Sequence, residues 1–152
     1  MSGLAALLAR RRPPGVYRWH SSLRAADVAH AVEHAGYRCF VLDGTAVTDK
    51  AAFLDTCAGT FALPEWFGRN WDALHDCLTD LSWAPARGYV VLYDGWGMLA
   101  RTDSDAWSVA YDVFGAVVES WRDTGTPLSV LLRGPGPDLD VPYLDDLPGG
   151  QR

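Results

Sequence analysis

Three aspartates, Asp72, Asp76 and Asp80, follow one another at intervals of four residues. A helix over residues 71–81 would place their carboxylates in one row along one side. Adjacent like charges at this spacing destabilise a helix by about 0.2–0.5 kcal/mol per pair. Three kinds of chemistry use such a row of carboxylates: acid–base catalysis, metal binding, and contact with a positively charged partner.

The opposite side of this predicted helix is apolar. At about 100° per residue, one side collects the following residues: Trp71, Leu74, Cys77, Leu78 and Leu81. We therefore expect this side to dock on the protein core while the carboxylates face solvent. Asn70 stands at the N-cap position, and the helix dipole favours Asp72 in the first turn.

The loop before the helix carries two aromatic residues, Trp66 and Phe67, followed by Gly68. We expect Phe67 to cover the core more than Trp66 does, and Gly68 to provide a positive backbone angle or a close approach. An exposed aromatic ring beside unpaired carboxylates forms a rigid, negatively charged surface. Aromatic anchors surrounded by charged pairs are typical of protein–protein hot spots.

Catalysis and metal binding fit the sequence less well. Paired catalytic carboxylates need contrasting environments, whereas a single solvent-facing row offers none. Nothing nearby completes a metal-ligand set. His75 and Cys77 lie about 200° apart on the helix, so they cannot form a base–nucleophile pair. His30 and His34 share a helix face but lack the flanking Glu and third ligand of a zinc protease. We therefore predict binding residues, with no catalytic residue, metal or cofactor.

Composition favours a basic protein partner. The chain has 152 residues and a net charge of −6. Residues 1–24 contain five arginines and no acid, so the remainder holds 8 basic against 19 acidic residues, a net charge of −11. Such a body repels phosphate backbones and attracts basic surfaces. We expect no direct binding to nucleic acid.

Cysteine usage and hydropathy predict the compartment. The three cysteines, Cys39, Cys57 and Cys77, are an odd number without CxxC spacing, which fits free thiols in a reducing cytoplasm. No apolar stretch reaches membrane-spanning length. We expect a soluble, cytoplasmic protein without membrane contact.

Strands alternate with helices along the chain, which predicts a small α/β layer with a mostly parallel sheet. The predicted strands are residues 16–19, 38–42, 89–93 and 128–132, and the main helices are residues 22–35, 49–58, 71–81 and 103–122. Residues 1–15 are predicted to be a flexible arm, and residues 16–133 a single domain. Residues 134–152 are rich in Gly, Pro and Asp and are predicted to be a disordered tail.

One long segment resembles the barstar family of small intracellular inhibitors of secreted bacterial ribonucleases. Its matching residues are Ala62-Leu63-Pro64-Glu65, the aromatics Trp66 and Phe67, then Gly68-x-Asn70-x-Asp72-Ala73-Leu74-x-Asp76-Cys77-Leu78-Thr79. A weaker likeness extends over residues 38–133. The resemblance implies a barstar-like core of about three parallel strands with helices packed on the sheet, to which residues 16–36 are a candidate extra strand–helix unit.

The resemblance also implies roles for individual residues. Asp76 corresponds to the central phosphate mimic and Asp72 to a second acid. Trp66 takes the place of a tyrosine, and Gly68 and Asn70 supply loop contacts.

Several positions depart from the family pattern. His75 stands where the family has a contact tryptophan, Leu81 replaces another tryptophan, and Arg69 replaces an acid. Asp80 corresponds to a glycine and belongs to the row only by charge. Such changes suggest the same mode of action on a different nuclease.

The following long helix supplies one further acid in the family. Ser120 falls at that position here, flanked by Glu119 and Asp123. The complete set of predicted partner-binding residues is Trp66, Gly68, Asn70, Asp72, His75, Asp76, Thr79, Asp80, Glu119 and Asp123.

The resemblance implies an inhibitor that occludes the active site of a basic, extracellular-type ribonuclease, either guanyl-specific or a toxin nuclease. It would act as an immunity protein and be monomeric when free. Two alternatives stay open: a barstar-like regulatory domain that binds another basic protein, and a small carboxylate-dependent enzyme.

Overall fold

A four-stranded parallel sheet forms the centre of the protein, as seen in a computed structural model that describes residues 2–145. The strands are β1 (Val16–Trp19), β2 (Arg38–Asp43), β3 (Tyr89–Asp94) and β4 (Leu128–Arg133), in the spatial order β1-β4-β3-β2. The predicted parallel α/β fold is confirmed. Residues 16–36 do add a strand, because β1 pairs with β4 along its whole length.

Six helices surround this sheet within residues 2–145. They are α1 (Gly3–Leu8), α2 (Ala25–His34), α3 (Lys50–Thr60), α4 (Trp71–Leu78), α5 (Gly97–Thr102) and α6 (Ser104–Trp121). None of the helices in this described part of the chain is long and apolar enough to cross a membrane.

Both faces of the sheet are covered, because the central strands are apolar on both sides. Successive side chains of a strand point to opposite faces. In β3, Val91 and Tyr93 belong to one apolar core, which holds α3, α4 and α6, whereas Val90 and Leu92 belong to a second core with α1 and α2. This explains the nearly continuous apolar sequence of β3, which is typical of strands buried on both faces. The acidic segment and the N-terminal unit therefore lie on opposite faces of the sheet.

The N-terminal segment differs from the flexible arm that the sequence predicts. Ser2 caps α1 by accepting a hydrogen bond from the Ala5 amide, and Leu4 and Leu7 are buried in the second core. Their spacing of three residues places both side chains on one side of the short helix. The segment is ordered because its apolar side chains pack on the sheet. Its local sequence, which ends in Arg-Arg-Arg-Pro-Pro, does not reveal this contact.

The predicted disordered tail also begins with ordered structure. Leu144 is only 1% exposed in the second core. The Arg18 amide donates to the Pro142 carbonyl (3.0 Å), and the Leu144 amide donates to the Arg18 carbonyl (2.8 Å). Residues 142–144 thus lie along the outer edge of β1. The rest of the predicted tail, residues 146–152, lies outside the described residues.

The three cysteines are free and buried, and we expect them to react with a thiol reagent only after unfolding. Burial, with a smaller contribution from the charge of Glu33, raises the pKa of Cys39 to about 12. Burial also raises the pKa of Cys57 far above its ordinary range. Because the thiolate is the reactive species, the thiolate fraction of Cys39 at pH 8 is about a thousandfold below that of an ordinary thiol.

Ellman's reagent, applied at pH 8 with and without guanidinium chloride, measures this difference. Three thiols should react promptly in the denatured protein and none in the native protein over the same period. A thiol that reacts as fast in the native protein would contradict this burial.

Candidate functional site

Helix α4 begins at a well-formed N-cap. The Asn70 side-chain oxygen accepts a hydrogen bond from the Ala73 amide (2.8 Å), which confirms the predicted cap. The Asn70 side-chain nitrogen also lies 3.4 Å from the Gly68 carbonyl oxygen that it faces. Asn70 therefore has a structural role in joining the loop to the helix.

The apolar side of α4 is fixed on the core along its whole length. Leu74, Cys77 and Leu78 are all buried. The half-buried ring of Trp71 lies 5.7 Å from the Phe53 ring of α3. At the other end, the indole nitrogen of Trp121 in α6 donates to the Leu78 carbonyl (2.9 Å). Neighbouring helices therefore hold both ends of α4.

The opposite side of α4 presents carboxylates to solvent, as the helical spacing predicts. Asp72 is exposed, and the Asp76 side chain is 83% exposed. The imidazole Nδ1 of His75 lies 3.7 Å from Asp76 Oδ1, and the His75 side chain is partly exposed.

The predicted helix over residues 71–81 is too long, and Asp80 lies outside α4. The helix ends at Leu78, and the Thr79 hydroxyl donates to the His75 carbonyl (2.9 Å) at the C-cap. Beyond it, Leu81 adopts a positive φ of 49° and is only 1% exposed. The chain turns at Leu81 so that this side chain enters the core, and Asp80 lies beyond the last helical residue.

The two aromatic residues of the loop before α4 differ in burial, as expected. Phe67 is buried, whereas Trp66 is 76% exposed. The positive backbone angle expected at Gly68 occurs instead at Arg69, where φ is 51°. The other expectation for Gly68 holds, because a Cβ atom there would lie 3.0 Å from the Asn70 side-chain nitrogen.

Arg69 brings a positive charge close to this surface, but an ion pair holds it. Its guanidinium lies 2.5 Å from the carboxylate of Asp55 in α3. The pair is largely exposed, so it contributes little to stability. Arg69 is the only basic residue of residues 62–80 other than histidine, and the pair places the Asp55 carboxylate beside it.

Glu119, the predicted acid within α6, is not grouped with the carboxylates of α4. Glu119 pairs with Arg122 (2.9 Å). It lies about 200° around α6 from Trp121, whose ring nitrogen contacts α4, and hence on the side turned away from α4. Asp123 is exposed beyond the end of α6.

We call Trp66, Asp72, His75 and Asp76 together the acidic surface. Glu65 is absent from the predicted set although it is exposed directly beside Trp66 in the chain. Its acidic type and its position in the family motif are the signals that would have identified it. Within residues 2–145, no group of three His, Cys, Asp or Glu side chains is arranged to hold a metal ion.

Comparisons with known proteins agree with this architecture. The chain is similar over 88% of its length to a solved structure of the Aeropyrum pernix ORC2 protein in ADPNP–ADP complexes, with 14% identity and a TM-score of 0.52. It spans only 38% of that protein's chain, and at this identity the likeness shows the fold alone. No curated protein matches the chain.

The family comparison agrees with the sequence motif. The family model described as Barstar (barnase inhibitor) matches residues 37–133. This region contains the sheet strands β2, β3 and β4 and the whole acidic surface. Because the match spans more than half of the sequence, the chain belongs to the barstar family.

Proposed function

We propose that this protein inhibits a ribonuclease by covering the enzyme's active site with the acidic surface. The observation that carries the proposal is the exposure of Trp66 and Asp76 on a loop and a helix that the core holds in place. The family to which the chain belongs consists of inhibitors rather than enzymes. Aromatic side chains beside charged groups are enriched at protein–protein hot spots, and Trp66 is 76% exposed.

The chemistry of the surface suits a site that binds RNA. A ribonuclease holds phosphate with cationic side chains, and carboxylates accept charge-assisted hydrogen bonds from the same groups. Asp72 and Asp76 lie one helical turn apart, so together they can occupy neighbouring cationic positions. Trp66 would cover the enzyme surface beside them.

The rigid attachment of α4 lowers the entropic cost of binding. Association costs additional free energy when loops and side chains become ordered at the interface. Here the helix is already capped by Asn70, and Trp121 anchors its far end. Two short aspartate side chains also lose less rotamer freedom than longer acidic ones.

The overall charge supports a basic partner. A net charge of −6 attracts a cationic protein over long distances and accelerates its association at low salt. We infer a basic, extracellular-type ribonuclease, guanyl-specific or a toxin nuclease, with the inhibitor acting as an immunity protein in the cytoplasm. The mechanism requires neither a metal nor a cofactor.

A second candidate function is regulation of a basic protein that is not a nuclease. Two observations favour it: Leu81, at a position where the family has a tryptophan, is buried, and the Thr79 hydroxyl is already engaged within the helix. Both reduce the contact area that the family pattern implies. A carboxylate-dependent enzyme is less well supported, since Asp72 and Asp76 share one solvent-facing environment.

Cleavage of a fluorescent RNA by purified ribonucleases tests the proposal. We expect the protein to inhibit a secreted guanyl-specific ribonuclease or a toxin nuclease from the same source, and inhibition to weaken as salt shortens the range of charge attraction. Trp66→Ala should weaken inhibition about tenfold or more, the usual effect of losing an aromatic hot spot. Its melting temperature should not fall, because the ring is mostly exposed.

Failure to inhibit any ribonuclease from that source would refute the proposal. Binding to a basic protein without nuclease activity, lost on substitution of Asp76, would establish the second candidate instead.

A further inference from the structure

A cavity of about 180 Å³ lies at the end of the sheet where the strands begin. Its walls come from Pro13 and Pro14 before β1, Tyr37 before β2, and Pro127 and Ser129 at the start of β4. No residue of the acidic surface lines it.

Arginines from two parts of the chain converge on this cavity. They are Arg10 and Arg12, which follow α1, and Arg122 at the end of α6. Among residues 2–145, no aspartate or glutamate lines the cavity. Arg122 is paired with Glu119, whereas Arg10 and Arg12 form no ion pair within residues 2–145, so the cavity keeps uncompensated positive charge on a protein with a net charge of −6.

The guanidinium of Arg10 is held in place without a counter-ion. It donates to the Tyr37 hydroxyl (3.2 Å), the Gly125 carbonyl (3.1 Å) and the Arg87 carbonyl (3.0 Å). All three acceptors are neutral, and within residues 2–145 Arg10 forms no ion pair. The group is therefore pre-oriented while its charge stays uncompensated.

A second cation lies close to the same tyrosine. The guanidinium carbons of Arg10 and Arg87 are 5.9 and 5.8 Å from the centre of the Tyr37 ring. Arg87 does not line the cavity, but its charge adds to the positive potential around Tyr37, which an anion in the cavity would lower. Arginine forks also match carboxylate and phosphate groups geometrically.

Much of the remaining wall of the cavity is apolar. Leu7 and the three prolines, Pro13, Pro14 and Pro127, offer rigid hydrocarbon surface. A cavity of about 150 Å³ can hold benzene, whereas drug-sized ligands occupy about 300–1,000 Å³. The cavity therefore has room for a body about the size of one ring.

We propose that this cavity binds a small organic anion, composed of a ring-sized apolar body and one phosphate or carboxylate group. The anionic group lies against Arg10 and Arg122, and the apolar body lies against Leu7 and the prolines. Binding here is independent of the ribonuclease proposal, because the two surfaces share no residue.

Isothermal titration of the full-length protein with four probes tests the site. Phenyl phosphate and benzoate carry the two candidate head groups, benzyl alcohol lacks the charge, and inorganic phosphate lacks the ring. We expect saturable one-to-one binding of phenyl phosphate or benzoate, at least tenfold tighter than either benzyl alcohol or inorganic phosphate. The tighter of the two binders identifies the head group.

Charge-removing variants locate the binding. Arg10→Gln and Arg122→Gln should each weaken binding of the preferred probe about tenfold, whereas Arg11→Gln should leave it unchanged. Arg11 is exposed, immediately follows Arg10 and does not line the cavity, so it is a matched control for charge. Arg122→Gln keeps the test valid if Arg10→Gln loosens α1, because the one polar side-chain contact of Arg122 within residues 2–145 is an exposed pair with Glu119.

Three results would overturn the proposal: no saturable binding of either organic anion, equal affinity for benzyl alcohol, or an equal loss of affinity in Arg11→Gln. The last of these would show non-specific attraction to the basic N-terminal segment.

Discussion

Replacement of Asp76 by alanine is expected to weaken inhibition of the ribonuclease by about 2–5 kcal/mol, roughly 30- to 5,000-fold in the inhibition constant. The loss arises because the cationic groups of the enzyme would be buried against the inhibitor without their counter-charge. General values for charged hot spots include the complex of barstar with its own ribonuclease, so this magnitude is carried over from the family and is not an independent derivation.

The folded state of this variant should be at least as stable as the original protein. Asp76 is 83% exposed, alanine is the best helix former, and repulsion between Asp72 and Asp76 disappears. Thermal unfolding followed by circular dichroism therefore separates lost binding from lost structure. A melting temperature that falls together with inhibition would argue against a direct contact.

Glu33→Ala is the matched control for Asp76→Ala. It removes the same unit of charge from an exposed position on α2, on the face of the sheet opposite α4. Only the long-range attraction should change, so the inhibition constant should shift by less than about threefold at physiological salt. Equal effects of the two substitutions would mean that net charge, and not the acidic surface, governs the interaction.

Replacement of Phe53 by alanine is expected to lower the free energy of unfolding by about 3–5 kcal/mol. Phe53 is fully buried, and its ring lies 5.7 Å from Trp71, 5.9 Å from Tyr93 and 6.1 Å from Phe114. Removal of the ring leaves a cavity where α3, α4, α6 and β3 meet. For a domain of this size, we expect a melting temperature roughly 6–20 °C lower.

Thermal and urea unfolding measure this effect, with Val109→Ala as the control. Val109 lies on the exposed side of α6, so its truncation should change stability by less than about 0.5 kcal/mol. A Phe53→Ala protein that melts within about 2 °C of the original would contradict the packing of α4 against α3.

Features set by local periodicity could be predicted from the sequence. The two sides of α4 follow from helical spacing alone, which places Leu74 and Leu78 inward and Asp72 and Asp76 outward. The Asn70 cap is equally local, since its side chain bonds an amide only three residues away. The parallel sheet follows from the alternation of strands and helices, with β3 apolar on both sides.

Features that depend on contacts between distant segments could not be predicted in this way. Helix α1 is so short that its apolar residues do not distinguish it from a flexible arm in the sequence. Its order depends on the second face of the sheet, which buries Leu4 and Leu7. The same holds for Leu144 in the predicted tail. Arg10 and Arg12 appear in the sequence only as part of a basic run, yet the fold carries them to a cavity shared with Arg122.

The sequence alone indicated the family, through the resemblance of residues 62–79 to its motif. The parallel α/β plan and the carboxylates of α4 follow from residue types at short, regular spacings. Only the tertiary structure decided which of those residues share a surface. The helix ends at Leu78, so Asp80 lies beyond it, and the contact of Trp121 with Leu78 turns Glu119 away from α4. The spacing of residues along a helix determines on which side of that helix each side chain lies. The residue at which the helix ends, and the side that a neighbouring helix turns toward it, depend on packing across the whole core.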